Sequence, residues 1–399
     1  MFDVNFPEWA SLILRWLHIT AGIAWIGSSF YFMYTDASLR PDDKMPAKAH
    51  GETWQVHGGG FYHIRKYLVS PDNMPATLHW FKLEAYFTWI SGFFLLSVIY
   101  YLGADTFLVD RNVMDLTGPQ AIFASLAMLG GGWVIYDQLC KSPLGRHTGL
   151  LALLVFLLAV AAAWAFTQMF SGRAAYVHAG VLVGTIMVGN VFFIIIPNQK
   201  KVVKALIDGQ TPDPALGKQA KQRSVHNNYL TLPVLLMMIS NHYPMTYGHA
   251  YSWFVFAVIL IIGGLVRHYH NCHNAGQGGV WVKWLYPSAA ALMVALILFV
   301  SWKPDAGQGS ADAPAVEDQQ AFTVIRQRCS VCHSSMPTWP GTDEAPAGVM
   351  YDSLDQVLGY ADRIRAQAVD SQSMPPGNAT EMTEEERRLL GIWLNARAN

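Results

Sequence analysis

The chain alternates between long apolar runs and short polar segments over its first three quarters. Eight of these runs reach or approach the ~20 residues that a helix needs to cross the hydrocarbon core of a bilayer. The run at 148–170 contains no charged residue and gives the clearest signal, whereas the sixth run is short. We predict membrane helices at 11–34, 80–102, 119–139, 148–170, 174–197, 227–241, 250–270 and 283–302.

The last quarter of the chain lacks such runs. Residues 303–318 are polar and rich in Gly, Ala and Pro, a composition typical of a linker. Residues 319–399 predict a few short helices, the last of which starts at Thr383 with a capping-box pattern completed by Glu386. We therefore predict an all-α fold with a polytopic eight-helix bundle in residues 1–302, followed by the linker and a small helical domain.

Composition agrees with a membrane protein. Hydrophobic residues make up 52% of the chain and charged residues only 14%, whereas soluble proteins carry about 25% charged residues. The formal net charge of -1 argues against a nucleic-acid partner.

Cys140 and Cys272 are far apart, so no disulfide framework is predicted. Arg15 and His18 interrupt the first apolar run, and no cleavage site follows it, so we expect no cleavable signal peptide.

Charge is distributed unevenly between the two sides of the predicted bundle. Loops on the side of the chain ends carry only Arg111 and Arg173. Loops on the other side carry 15 Lys and Arg residues, in 35–78, 140–147, 198–226 and 267–283. The positive-inside rule then places the N-terminus and the C-terminal domain outside the cytoplasm. We predict a multi-pass protein of the bacterial inner membrane with both of these parts on the periplasmic side.

Cys329, Cys332 and His333 form a C-x-x-C-H motif, the attachment signal for a c-type haem. The two thiols add to the vinyl groups of one porphyrin, and the adjacent histidine is then placed to bind the iron. We predict Met374, in a proline-rich loop, as the other iron ligand. No βαβ pattern surrounds the motif, so a thioredoxin-like pair is the weaker interpretation. Residues 319–399 are therefore predicted to be a class I-like cytochrome c domain.

Helices one and five share a pattern, an early histidine followed by spaced glycines and then aromatic residues, which suggests a 4+4 pseudo-repeat. The early histidines, His18 and His178, lie at shallow depth on the side of the cytochrome domain. Nearby glycines leave room for a flat macrocycle. We predict a non-covalent b-type haem with iron held by His18 and His178, with His242 and His249 as substitutes. The alternative is a pair of hydrogen-bonded interior histidines in a glycine-rich interface.

The opposite side of the bundle gathers ionisable and aromatic groups at helix ends. Glu84 lies about one turn inside the second helix and follows His79 and Lys82, so we predict these three as catalytic groups. Such surroundings suit a planar, polar, anionic heterocycle, although cations at inner helix ends also follow from topology alone. Candidate substrate contacts on this side are His226, Asn227, Asn228, Thr231 and Arg65, and the run Arg267-His268-Tyr269-His270 closes the seventh helix.

Several strings of residues carry a resemblance to a known family. They are Leu17-His18-Ile19 with Gly22, Trp25 and Gly27; His57 to Tyr62; Met74-Pro75; Leu78 to Lys82 with Glu84-Ala85-Tyr86; His226 to Pro233; and the C-x-x-C-H motif. Together they resemble the PuuD-type integral-membrane urate oxidases, and the resemblance covers essentially the whole chain. Helix one is also similar to the HemJ-like haem-binding membrane family, whose matching histidine binds haem, and this carries over to His18 only.

The resemblance implies the oxidation of urate to 5-hydroxyisourate. It also implies that two electrons leave through cytochrome c instead of reducing dioxygen to peroxide. The partners it implies are urate, the lipid bilayer and a downstream soluble or membrane cytochrome or terminal oxidase.

Two other classes of function remain open at this stage. One is a quinol:cytochrome c electron-transfer module, and the other is a permease with a redox-sensing cytochrome tail. Reduction of the c-type haem by urate would favour the oxidase, reduction by quinol would favour the module, and transport without net oxidation would favour the permease.

Overall fold

The structure is a computed structural model that describes residues 6–68, 75, 77–302, 316–340 and 342–397. Met74, part of the resemblance above, lies outside the described residues, as does 303–315, most of the predicted linker. The predicted domain boundaries at 302 and 319 therefore stay predictions.

The first three quarters of the chain form a helical bundle. Two of its helices, α2 and α5, are prolonged by π-helical segments at Ser97–Tyr101 and Asn190–Ile195. The helices are α1 (Phe6–Ser38), α2 (Leu83–Leu96), α3 (Gly118–Lys141), α4 (Thr148–Thr167), α5 (Gly172–Gly189), α6 (Ile196–Ile207), α7 (Pro214–Ser240), α8 (Pro244–Tyr247), α9 (Ser252–Asn274) and α10 (Val280–Ser301).

Seven helices within the described ranges are long and apolar enough to cross a bilayer, which confirms an all-α, multi-pass membrane fold. The predicted sixth span, now part of α7, is not among the seven. Its first half carries Lys218, Lys221 and Arg223 ahead of the apolar residues that end at Ser240. The polar run 226–228 then interrupts the apolar part, so no long stretch of α7 is as apolar as the seven other helices.

Even so, α7 carries the chain back across the bundle. The continuous helical segment Gly172–Ile207 starts at a small cavity that Tyr247, just after α7, also lines. Since that segment is 36 residues long, its far end lies on the opposite side of the bundle at 1.5 Å per residue. The return to Tyr247 thus requires α7 to traverse the bundle, as the prediction of eight crossings supposed.

The core of the bundle lies around α5. In its most apolar window, 67% of residues are buried within the protein, against 6% for α1. Fully buried side chains from three neighbouring helices, Tyr136, Phe166 and Phe256, belong to the same core.

Helices α1 and α5 were paired in the predicted repeat, but their surroundings differ. Helix α1 packs mainly on α2 and presents large apolar side chains outward, where lipid would cover them.

An antiparallel hairpin lies between α1 and α2, where the sequence analysis expected only a loop. Strands β1 (Ala49–His57) and β2 (Gly60–Tyr67) are joined by Gly58 and Gly59, both with positive φ. Two residues of this conformation make the turn that best suits the twist of a hairpin. The Gln55 side chain anchors the hairpin by donating to Thr35 Oγ1 at the end of α1, at 2.9 Å.

The C-terminal domain has its own hydrophobic core. Its first and last helices contact each other, and the buried Trp393 indole donates to Asp318 Oδ1 at 2.9 Å across that contact. The capping box of Thr383 and Glu386 is confirmed, because each side chain bonds the backbone N–H of the other residue. The helices are α11 (Asp318–Arg328), α12 (Leu354–Gly359), α13 (Ala361–Ile364) and α14 (Glu384–Asn395).

Two glycines bring the C-terminal domain directly against the bundle. A Cβ added at Gly377 would overlap the carbonyl oxygens of Thr106 and Val109, and one added at Gly248 would overlap the backbone of Ser371. The bundle segments involved are the α2–α3 and α7–α9 connections, which the predicted topology places on the side of the chain ends.

Candidate functional site

His333 is held in one tautomer. Its Nδ1–H donates to the carbonyl oxygen of Val349 at 3.0 Å, which leaves Nε2 as a lone-pair donor. Metal-binding histidines almost always have their other nitrogen tied in this way, because the bond fixes the ring orientation.

Cys329 and Cys332 lie one helical turn apart, and the Cys332 N–H donates to the Cys329 carbonyl at 3.1 Å. Both thiols are free of disulfide bonds. Burial raises the pKa of the Cys329 thiol to about 12 and also raises the pKa of Cys332. Redox-active C-x-x-C pairs have lowered thiol pKa values, so the surroundings argue against a thioredoxin-like pair.

The loop that carries Met374 is fixed by Arg387 from α14. The buried Arg387 guanidinium donates to the Met374 carbonyl at 2.8 Å and to Asn378 Oδ1 at 3.2 Å. Met374 itself packs against the core of the domain, as does Cys329. Two unpaired thiols, a histidine with a free Nε2 and an anchored methionine fit a covalently attached c-type haem.

His18 faces α2. Its Nδ1–H donates to the Thr88 carbonyl at 2.8 Å, and Nε2 has no hydrogen-bond partner within the described part of the chain. A Cβ added at Gly92 would lie 2.7 Å from His18 Cε1, so only glycine allows the ring to pack there. This arrangement fits an axial haem ligand in the same way as His333.

His178 is surrounded differently. It is fully buried, its Nδ1–H donates to the Ala174 carbonyl at 2.7 Å, and Nε2 accepts from Ser125 Oγ at 2.8 Å. The rings of Tyr100, Phe166 and Phe170 pack around it. Both nitrogens therefore have protein partners, and the described surroundings fit the hydrogen-bonded interior histidine better than an iron ligand.

The predicted catalytic residues lie at the start of α2. His79 is exposed and its ring contacts Phe81, Lys82 precedes the first turn, and Glu84 is half-buried within that turn. Although Lys82 and Glu84 are close in sequence, no ion pair joins them among the described residues. The Glu84 backbone carbonyl accepts from Thr88 Oγ1 at 2.6 Å, and Thr88 is also the residue that His18 contacts.

Two of the candidate substrate contacts belong to a closed polar network between α3, α5 and α7. His226 Nδ1 accepts from the Tyr136 hydroxyl at 2.7 Å, and Asn227 Oδ1 accepts from Asn190 Nδ2 at 2.9 Å. The buried Arg223 pairs with Asp137 at 2.7 Å. Because its charge and amide groups are matched within the protein, this network holds three helices together.

Asn228 belongs to a second group, which it forms with α9 and α1. Its Oδ1 accepts from Asn271 Nδ2 at 3.0 Å and from Arg267 Nε at 3.4 Å. The Arg267 guanidinium carbon lies 4.1 Å from the centre of the Phe30 ring. This group combines a cation, two amides and an aromatic ring toward the end of α9 that is remote from the C-terminal domain.

The side chains of the other two candidate contacts bond to protein groups. Thr231 Oγ1 donates to the Asn227 backbone carbonyl at 2.8 Å. Arg65 lies on β2 and pairs with Glu52 at 2.8 Å, and it is the main reason why the pKa of Glu52 is lowered. The structure therefore assigns Arg65 to the stability of the hairpin.

Sequence reasoning missed Phe30, Asn271, Asn190 and the Arg223–Asp137 pair. Asp137 could have been noticed, because an acid inside a predicted membrane helix is costly and usually has a partner. Phe30 gave no such signal, since aromatic residues are common on membrane helices and nothing local distinguishes this one.

Comparison with known proteins gives one family match. Residues 4–301 match the family described as "Urate oxidase N-terminal". The match ends at the last residue of α10 and so covers the whole helical bundle and the hairpin. No curated protein and no solved structure matches the chain.

Proposed function

This chain belongs to the urate oxidase N-terminal family, and from this premise we propose that it oxidises urate to 5-hydroxyisourate and delivers the electrons to a c-type haem held by residues 319–399. Membership of the family indicates urate oxidation in general. The route of the electrons, the acceptor and the residues involved are our proposal.

The reaction balances without dioxygen. Urate and one water give 5-hydroxyisourate, two electrons and two protons; the water oxygen forms the new C–O bond at C5. The electrons leave singly, and a downstream cytochrome or terminal oxidase reoxidises the protein between steps. The protons pass to side chains and then to water.

One observation carries this proposal. The loop with Met374 is the part of the C-terminal domain that meets the bundle, where Ser371, Met374 and Gly377 line one cavity together with Phe107 and Arg173. The loop that would hold a haem through Met374 therefore lies against the membrane body. This is the arrangement expected of a domain that receives electrons from that body.

When bound, such a haem supplies reversible one-electron transfer. Cys329 and Cys332 would attach the group and His333 would bind its iron through Nε2, because Nδ1 is held by the Val349 carbonyl. Arg387 positions the loop of Met374. His18 is our candidate for holding a second haem inside the bundle.

Glu84 is the best candidate for the proton acceptor. It is half-buried, and no ion pair within the described ranges engages its carboxylate. A carboxylate without an ionic partner is available to accept a proton from a bound substrate. His79 and Lys82 remain proposed as groups that pass protons between Glu84 and water.

The decisive experiment is anaerobic addition of urate to the purified full-length protein while the c-type haem absorbance is followed. We expect reduction of the haem with urate and none with xanthine. Met374→Ala should lower the haem potential and slow this reduction, because thioether ligation raises the potential. A haem that stays oxidised with urate but is reduced by a quinol would replace the proposal with the quinol:cytochrome c alternative.

A further inference from the structure

We propose that Arg267, Asn228 and Phe30 form the site that binds the urate anion, near the inner end of the bundle. This inference rests on the proposed function and names the residues of its substrate site. It is carried by the contrast between the two buried arginines of the bundle.

Arg223 and Arg267 are both buried, with 2% and 8% of their surface exposed. Arg223 is neutralised by Asp137 at 2.7 Å. Arg267 has no carboxylate partner among the described residues, and its bonds to the amides Asn228 and Asn271 are both long, at 3.4 Å. A buried charge without a counter-charge is costly. We therefore expect a bound anion to supply the negative charge beside Arg267.

Asn228 offers a second unsatisfied group at the same place. Its side chain is fully buried, and its Nδ2 has no hydrogen-bond partner within the described part of the chain, although Oδ1 bonds both Arg267 and Asn271. Buried amide groups are nearly always paired. An N–H donor left free beside a guanidinium would suit a carbonyl oxygen of a bound anion.

Phe30 supplies a flat surface at the site, since its ring lies 4.1 Å from the Arg267 guanidinium. Gly27 and Gly264 lie one turn before Phe30 and Arg267 on the same helix faces. A Cβ added at either glycine would meet nothing within 4 Å. Gly27 is exposed, so the space beside the ring and the cation opens to the surface of the bundle, from which a planar ligand could enter.

The chemistry selects a planar anion with several acceptors. A guanidinium offers parallel N–H donors that match adjacent acceptor atoms of an anionic ring. The free Asn228 N–H adds a donor, and Phe30 adds stacking. Urate meets all three requirements, because it is flat, negatively charged at neutral pH and edged with carbonyl oxygens.

The test uses Asn228→Asp in the full-length holoprotein. The new carboxylate should pair with Arg267, remove the free N–H donor and fill the anion position. We expect the variant to unfold at a higher temperature than the wild type and to bind urate at least about tenfold more weakly. Binding is measured by equilibrium dialysis of urate against dithionite-reduced protein, which cannot turn over.

Arg267→Lys is the second variant, because it keeps the charge but loses the planar pair of donors. It should raise the KM for urate with the ascorbate reduction of the c-type haem unchanged. Arg146→Gln is the matched control, since it removes an exposed cation from the same side of the bundle, and it should leave urate affinity unaltered.

The outcomes separate the two proposals. If the wild type binds urate and is reduced by it, while Asn228→Asp and Arg267→Lys keep the wild-type affinity, the site assignment is wrong and the proposed function stands. If the wild type neither binds urate nor is reduced by it, the proposed function fails and the site assignment fails with it.

Discussion

At the scale of single residues, the structure distinguishes histidines that look alike in sequence. His18 and His333 each donate one ring N–H to a backbone carbonyl and leave Nε2 free, whereas both nitrogens of His178 are engaged by protein groups. A histidine inside a membrane helix is costly and calls for a partner. Whether that partner is a serine or an iron depends on what the neighbouring helices present.

Glu84 gives the prediction that belongs to this scale. Glu84→Gln keeps the shape of the side chain but removes the base, so turnover with urate should fall about 10²–10⁴-fold. The measurement is steady-state urate oxidation with cytochrome as acceptor, normalised to c-type haem content. An unchanged rate with full haem content would remove Glu84 from the mechanism.

At the scale of elements, buried ion pairing fixes α7 against α3. Arg223 on α7 and Asp137 on α3 are both buried and pair at 2.7 Å, whereas Lys141 bonds the same carboxylate from an exposed position. Removing one partner of a buried pair leaves an uncompensated charge, while an exposed pair contributes little. The two partners of Asp137 should therefore differ greatly in their effect on stability.

Asp137→Asn should destabilise the bundle by about 3–5 kcal/mol, because Arg223 is left buried and unpaired. The control Lys141→Met should cost under about 1 kcal/mol. Both effects can be compared by thermal unfolding in detergent at one heating rate. Equal shifts for the two variants would contradict the role given to the buried pair.

Elements also show where pattern reading was wrong. The segment before α2 was read as a loop, although Gly58 and Gly59 between two stretches rich in β-branched and aromatic residues fit a hairpin turn. This alternating pattern is short and lies between two long apolar segments, so its signal is weak beside theirs. Among the described residues, the two strands of this hairpin stand beside secondary structure that is otherwise helical.

At the scale of the whole molecule, the close contact between the C-terminal domain and the bundle lies on the electron route that we propose. Gly248 of the bundle touches the backbone of Ser371, three residues before Met374. The contact leaves no space for a side chain. Any residue larger than glycine must push the two parts of the molecule away from each other.

Gly248→Val should therefore slow reduction of the c-type haem by urate, by about tenfold or more, while urate binding and the haem spectrum stay intact. Stopped-flow absorbance measures the step directly. Gly359→Val is the control, because a side chain at this exposed glycine would meet nothing within 4 Å. Equal rates in the two variants would show that the contact between Gly248 and Ser371 does not govern electron transfer.

The apolar helices of the bundle, their order and the C-x-x-C-H motif were predictable before the fold was known, because each depends on residues close together in the chain. A run of apolar residues needs only its own length to span a bilayer, and C-x-x-C-H places its three groups through local geometry. The capping box of α14 was predictable for the same reason.

The contacts between buried polar groups could not be predicted in this way, because they depend on how distant segments fold together. Arg223 and Asp137 are 86 residues apart, and Arg267 meets Asn228 from another helix and Phe30 from a third. Such pairings depend on the rotation and depth of each helix in the bundle, which packing against all its neighbours sets. The hydropathy of a segment shows that it is apolar. It does not show which face of the helix contacts which neighbouring helix.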